Sequence, residues 1–129
     1  MKRFTSLLSL ALLSLTVMCA QGCMLVAGAV VGAGGYAYVT GALAKNVDAN
    51  YADVHSAALD GLRDIGAFVV KESIGQSSAD IHAESEDGTT IKIDIEALTE
   101  RAAQIKIRYG TFGNEAESLR ILNATMNRL

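Results

Sequence analysis

No proline and no tryptophan occur among the 129 residues, and aromatic side chains make up only 5% of them. So few rings leave no stacking surface for sugars or bases. Excess positive charge is missing as well. Eleven Lys and Arg stand against 14 Asp and Glu, for a net charge of −3, so there is no electrostatic footprint for nucleic acid. Cysteine is nearly absent, with two in the whole chain. What is abundant is apolar: half the residues are hydrophobic and 19% are charged, which excludes a disordered chain, and the length suits one small domain.

The start of the chain has the three parts of a secretory signal. Lys2 and Arg3 supply the positive region, Leu7 to Ala20 an uncharged apolar run, and small residues precede a cleavage point. The run is short for a membrane span, although a retained signal anchor is the competing account. Ala20-Gln21-Gly22-Cys23 resembles the bacterial lipobox, with Ala20 where Leu is commonest and Gln21 a less usual filler. Cys19 does not fit it, because Met18 stands where that box needs a small residue. The expectation is therefore a signal peptide over 1–22 and a lipidated Cys23, with thioether-linked diacylglycerol and an acylated amine such as palmitate supplies. Two or more chains give stable anchoring where one gives marginal binding.

A disulfide between Cys19 and Cys23 is the alternative in an oxidising compartment, and cleavage before Cys23 removes it. Residues 23–129 contain no second cysteine, and losing Lys2 and Arg3 takes the net charge to −5. Met24 rather than Asp follows the lipidated position. By resemblance to the enterobacterial sorting rule, this favours the outer membrane, facing the periplasm, over the inner. From Met24 to Leu43 the chain is uncharged, and Gly28-Ala29-Val30-Val31-Gly32 has the small-xxx-small pattern of paired membrane helices. Glycines weaken a helix, however, and the second half alternates with a strand period. The expectation is a tether over 23–35, flexible or lying on the membrane, and a first strand from Tyr36 to about Val47, opening a single domain over 36–129.

Asn50 to Ile65 is the clearest helix, with Tyr51, Val54, Ala58, Leu62 and Ile65 on one face, Asn50 as N-cap and Gly66 after its end. Gly61 is a blemish in it. Four strand signals follow. Phe68, Val69 and Val70 mark the first. Ala79, Ile81 and Ala83 alternate with Asp80, His82 and Glu84; Ile91, Ile93 and Ile95 with Lys92, Asp94 and Glu96; Ala103, Ile105, Ile107 and Tyr109 with Gln104, Lys106 and Arg108. One face is oily and the other charged, as in an antiparallel sheet with a single buried side.

Glu86-Asp87-Gly88 predicts a three-residue turn that pairs Ala83 with Ile91. The next hairpin allows two registers, one setting Asp94 opposite Lys106, the other Asp94 opposite Arg108 and Glu96 opposite Lys106. Asn114 caps a closing helix with a stripe of Leu119, Leu122, Met126 and Leu129. The order strand, helix, four strands, helix is an α+β sandwich with helices on one face of a curled antiparallel sheet. In element order alone it resembles the helix-grip arrangement.

Several stretches together resemble an uncharacterised family of bacterial lipoproteins, domain of unknown function 3568. They are the lipobox and Gly/Ala run, Tyr36-Ala37-Tyr38-Val39-Thr40-Gly41, the amphipathic helix, and Ile105 to Glu115. The most specific part is Gly110-Thr111-Phe112-Gly113-Asn114-Glu115 running into Leu119-Arg120-Ile121-Leu122, where Gly110, Gly113 and Asn114 form a structural corner. The resemblance implies a small α+β envelope lipoprotein and carries over no catalytic residue.

Signals for chemistry are weak. His55 lies in the apolar arc of the first helix, away from Asp53 and Asp60 on the wheel, as a core-edge histidine does. Asp80, His82 and Glu84 project to one side, but successive residues on one face of a strand are about 6.5–7 Å apart and Lys92 would repel a cation, so no metal or other cofactor is expected. Ser73, Ser77 and Ser78 have no nucleophile elbow, and the Gly-rich tract lacks the lysine of a phosphate loop. The expected protein is a non-catalytic envelope lipoprotein presenting its domain as a structural or interaction module to another envelope protein. Asp80, His82, Glu84, Lys92, Asp94, Glu96, Lys106 and Arg108 are its candidate contact face. The alternative is a small-ligand or lipid carrier with a cavity between helix and sheet, left by Ala58, Ala79, Ala83 and Ala103.

Overall fold

The structure, a computed structural model, describes residues 35–129. The expected signal peptide, Cys23 and all but the last residue of the expected tether lie outside the described residues. Eight elements follow one another: β1 (Ala37–Val39), β2 (Ala42–Val47), α1 (Tyr51–Asp64), β3 (Phe68–Ile74), β4 (Ser78–Glu84), β5 (Thr90–Thr99), β6 (Ala102–Tyr109) and α2 (Glu115–Met126). The six strands form one open antiparallel sheet in the order β1-β2-β6-β5-β4-β3. After β2 the chain must reach the far edge of the sheet, and α1 carries it there across one face. α2 packs on that face against β2 and β6 and alongside α1, so the fold is α+β with both helices on one side. Among the described residues no helix is long and apolar enough to cross a membrane.

The first strand is two. Thr40 (φ 50°) and Gly41 (φ 79°) both take left-handed backbone and turn the chain back on itself, pairing Val39 with Ala42 and Ala37 with Ala44. Two positive φ values in a two-residue loop match the twist of a hairpin. Tyr38 faces the core side with Leu43, whereas Ala37, Val39, Ala42 and Ala44 face outward. The apolar phase thus moves from even to odd numbers across the turn.

α1 begins as its sequence suggests, with Asn50 Oδ1 accepting from Asp53 N–H at 2.9 Å. It ends in a Schellman pair, Gly66 N–H to Arg63 C=O at 3.1 Å and Ala67 N–H to Leu62 C=O at 2.9 Å, with Gly66 at φ 76°. The middle hairpin has Ala83 opposite Ile91 and Gly88 at φ 83°. Of the two registers open for β5 and β6, the structure has Ile95 opposite Ile105 and Asp94 opposite Lys106.

Ile81, Ile91, Ile93, Ile95, Ile105 and Ile107 point under the helices and meet Leu43, Val54, Leu62, Ile121 and Leu122 in one core. Each such side chain contributes about 1.5–3 kcal/mol by leaving water, and this face holds the domain together. Ala58, Ala79, Ala83 and Ala103 are buried within the same cluster.

Three expectations are corrected by the packing. The closing helix buries Ser118, Ile121, Leu122 and Thr125, while Leu119 and Met126 sit at the border and Leu129 is 48% exposed. The arc is rotated because α2 faces α1 as well as the sheet. Gly61 is where the helices touch: a Cβ there would stand 2.8 Å from Thr125 N and 2.9 Å from the Ala124 carbonyl carbon. It is a contact point, not a blemish. β3, expected as a strand with an oily side, is exposed at all seven positions, with Phe68 and Val70 each 67% exposed, because it is the sheet edge.

Candidate functional site

The face opposite the helices carries no covering element among the described residues. Alternation places all eight expected contact residues on it, and the strand registers arrange them in rows. One row reads Lys71, His82, Lys92 and Arg108 across β3, β4, β5 and β6. The next reads Ser73, Asp80, Asp94 and Lys106, continuing into Ala44 and Ala37. Beyond it come Ser78, Glu96, Gln104 and Asn46, with Gln104 Nε2 donating to Asn46 Oδ1 at 3.1 Å. Glu84 lies on the other side of the basic row, opposite Thr90 and Phe68.

Two direct pairings on this face are between like charges, Lys92 with Arg108 and Asp80 with Asp94. Such pairs destabilise a sheet, where opposite charges would contribute about 0.2–1 kcal/mol each. Stability alone would not choose this arrangement. Relief is partial: Asp94 Oδ1 lies 3.5 Å from Lys92 Nζ on the same strand, and Arg108 Nη2 donates to the Thr40 carbonyl at 3.0 Å. A groove of about 510 Å³ runs along this part of the face, with Lys92, Lys106 and Arg108 on one side and Val39, Ala42 and Ala44 on the other. A second hollow, of about 360 Å³, holds Lys71, Asp80, His82 and Lys92.

The strand-to-helix corner is built by backbone contact. Gly110 (φ 76°) and Gly113 (φ 84°) both take left-handed backbone. Gly113 lies against the Gly41 backbone so closely that a Cβ on either glycine would collide with the other segment. Asn114 then caps α2, its Oδ1 accepting from Glu117 N–H at 3.1 Å. Tyr36 O–H donates to Glu115 Oε1 at 3.1 Å, and the carboxylate pushes the Tyr36 phenol above its ordinary value. Phe112, between these fixed points, is 93% exposed.

The other candidates stay apart. His55 is buried, and its carboxylate neighbour is Glu72 of β3 rather than Asp53 or Asp60. Nε2 lies 3.5 Å from Glu72 Oε2 and makes no hydrogen bond. Asp53 and Asp60 open instead into a polar groove of about 560 Å³ near Asp48, Ser56 and Arg128. Among the described residues no three His, Cys, Asp or Glu side chains come together as a metal site. The strongest local electrostatics lie in a turn: Ser85, the Thr89 N–H and side chain, and Tyr109 bind the Asp87 carboxylate and hold it at a pKa of about 2.

Sequence reasoning missed Lys71 and the alanine side of the groove. Lys71 joins the basic row only because a bulge between Val69 and Lys71 shifts its register. Ala42 and Ala44 flank Arg108 and Lys106 only because β2 pairs with β6, about sixty residues away in the chain. The phase change between Tyr38 and Leu43 was the signal that could have revealed the hairpin.

An α+β domain whose charged sheet face no described element covers is the class these features define. The chain belongs to a protein family of unknown function, DUF3568, whose model matches residues 6–128. No curated protein matches it in sequence.

Proposed function

We propose that this chain is a bacterial envelope lipoprotein, anchored through Cys23 after loss of residues 1–22, that presents its domain in the periplasm as a non-catalytic interaction module. The outer membrane is the proposed site of the anchor, from Met24 behind the modified cysteine. Another envelope protein is the proposed partner, and the outer sheet face is where it docks. The observation that carries the docking reading is the like-charge pairing of Lys92 with Arg108 and Asp80 with Asp94 on a face that no element among the described residues covers. A surface kept only for solubility would favour alternating signs.

Anchoring is tested by growing cells with a clickable palmitate. Label is expected on the wild type and absent from Cys23→Ser. Equal label on both, or an intact mass that retains Met1, would contradict the anchor.

A further inference from the structure

On the outer face, the positive charge of β5 and β6 has no counter-charge toward the β1 edge among the described residues. Lys106 is paired across the sheet with Asp94 on one side, but that carboxylate lies at Lys92. On its other side Lys106 faces Ala44. Three cations and one carboxylate line the groove, and the remaining wall is uncharged, formed by Val39, Thr40, Ala42 and Ala44. Arg108 is held in place by its bond to the Thr40 carbonyl, which uses one of its five N–H donors and leaves the others for a ligand.

We propose that this groove binds a phosphate monoester, its phosphate oxygens on Lys92, Lys106 and Arg108 and its apolar substituent over Ala42 and Ala44. A monoester offers three non-bridging oxygens to three separate cations, which a two-oxygen carboxylate or phosphodiester matches less well, and the fork of Arg108 suits two of them. A groove of about 510 Å³ is in the range of small-ligand sites. The apolar side explains why β1 and β2 present alanines rather than the charged residues of the neighbouring strands. This inference goes beyond the proposed reading of the sheet face as a protein-docking surface and adds a small-ligand site within it.

The test is nuclear magnetic resonance on the full chain in neutral detergent, at constant ionic strength. Amide shifts of Ala42, Ala44, Lys106 and Arg108 are followed while inorganic phosphate, or monomeric dihexanoyl phosphatidic acid, is added. Dihexanoyl phosphatidylcholine is the zwitterionic control. Saturable shifts with phosphate itself identify a soluble monoester as the source, and saturation with phosphatidic acid alone identifies a lipid headgroup. Lys106→Gln with Arg108→Gln is expected to weaken binding at least about tenfold, since each charged hydrogen bond is worth about that much. Ala44→Glu should do the same by adding the missing counter-charge while leaving every donor in place, and Lys71→Gln should change affinity less than about twofold because it lies outside the groove.

No saturable shift with either probe, or unchanged affinity in both groove variants, would overturn the proposal. In-cell crosslinks to neighbouring envelope proteins that are lost in Lys106→Glu with Arg108→Glu, without phosphate binding by the wild type, would leave the docking surface standing and remove only the ligand. Phosphate binding with unaltered crosslinks would do the reverse.

Discussion

Gly113 shows how much a single hydrogen atom in place of a methyl can decide. Its φ of 84° is left-handed, and its Cα lies against the Gly41 backbone. Backbone strain of about 1–2 kcal/mol would be joined in Gly113→Ala by overpacking of about 1–3 kcal/mol, because the neighbour is backbone and cannot rotate away. Thermal unfolding should show that loss, with Asn114→Ala losing about 1 kcal/mol through the cap. Equal melting temperatures for wild type and Gly113→Ala would contradict the corner as described. Asp87 gives a residue-scale test in pH. Its carboxyl is depressed to about 2 from 3.8, so the stabilisation is present above pH 4 and is lost as pH falls through 2. The melting temperature of the wild type should therefore fall more steeply between pH 4 and 2 than that of Asp87→Asn. Parallel curves would mean that the turn does not hold a carboxylate.

The two helices lie close enough for backbone to approach backbone because Gly61 has no side chain. Alanine has the better helix propensity by about 1 kcal/mol, so an isolated α1 would gain from Gly61→Ala. In the folded domain the new methyl would meet Thr125 N and Ala124 backbone under 3.0 Å, and the helices would have to part. Net destabilisation of up to about 2 kcal/mol in urea unfolding is expected, the overpacking cost of about 1–3 kcal/mol less the propensity gain. A more stable variant would show that the helices do not meet there. Arg128 closes the same pair of helices, donating Nε–H and Nη2–H to the Asp64 carboxylate at 2.7 and 2.5 Å, which lowers the Asp64 pKa.

Elements whose partners are near in sequence were legible. The alternation of β4, β5 and β6, the Gly88 turn, Asn50, Gly66 and Asn114 are all local chemistry, and the structure has each where the residues place it. The β1–β2 turn was not, because Thr40 rather than Asn or Asp takes the first left-handed position. The buried arc of α2 was hidden for another reason: Ser118 and Thr125 are polar by type, but small, and a helix contact selects for size. Thr125 Oγ1 settles its own proton on the Ile121 carbonyl at 3.0 Å, while Ser118 Oγ has no partner.

At the scale of the whole molecule, one sheet face is occupied by the core and the other is covered by no element among the described residues. The seven charged residues and His82 of that outer face followed from alternation alone, since a strand with one side buried exposes the other. Their grouping into rows did not, because it depends on the sheet order and on the bulge in β3. Exposed charge pairs contribute little to folding, on the order of 0.2–1 kcal/mol, so the face can be altered without unfolding the domain. Lys106→Glu with Arg108→Glu is the variant that separates the two.

Crosslinking in intact cells, followed by mass spectrometry of proteins joined to this chain, tests the docking surface most directly. The double variant should fold, with a melting temperature within a few degrees of the wild type, and should reach the membrane like the wild type. Its crosslinks to neighbouring envelope proteins should be lost. A full crosslink pattern from the folded, membrane-bound variant would contradict the account and move the contact surface away from this sheet face.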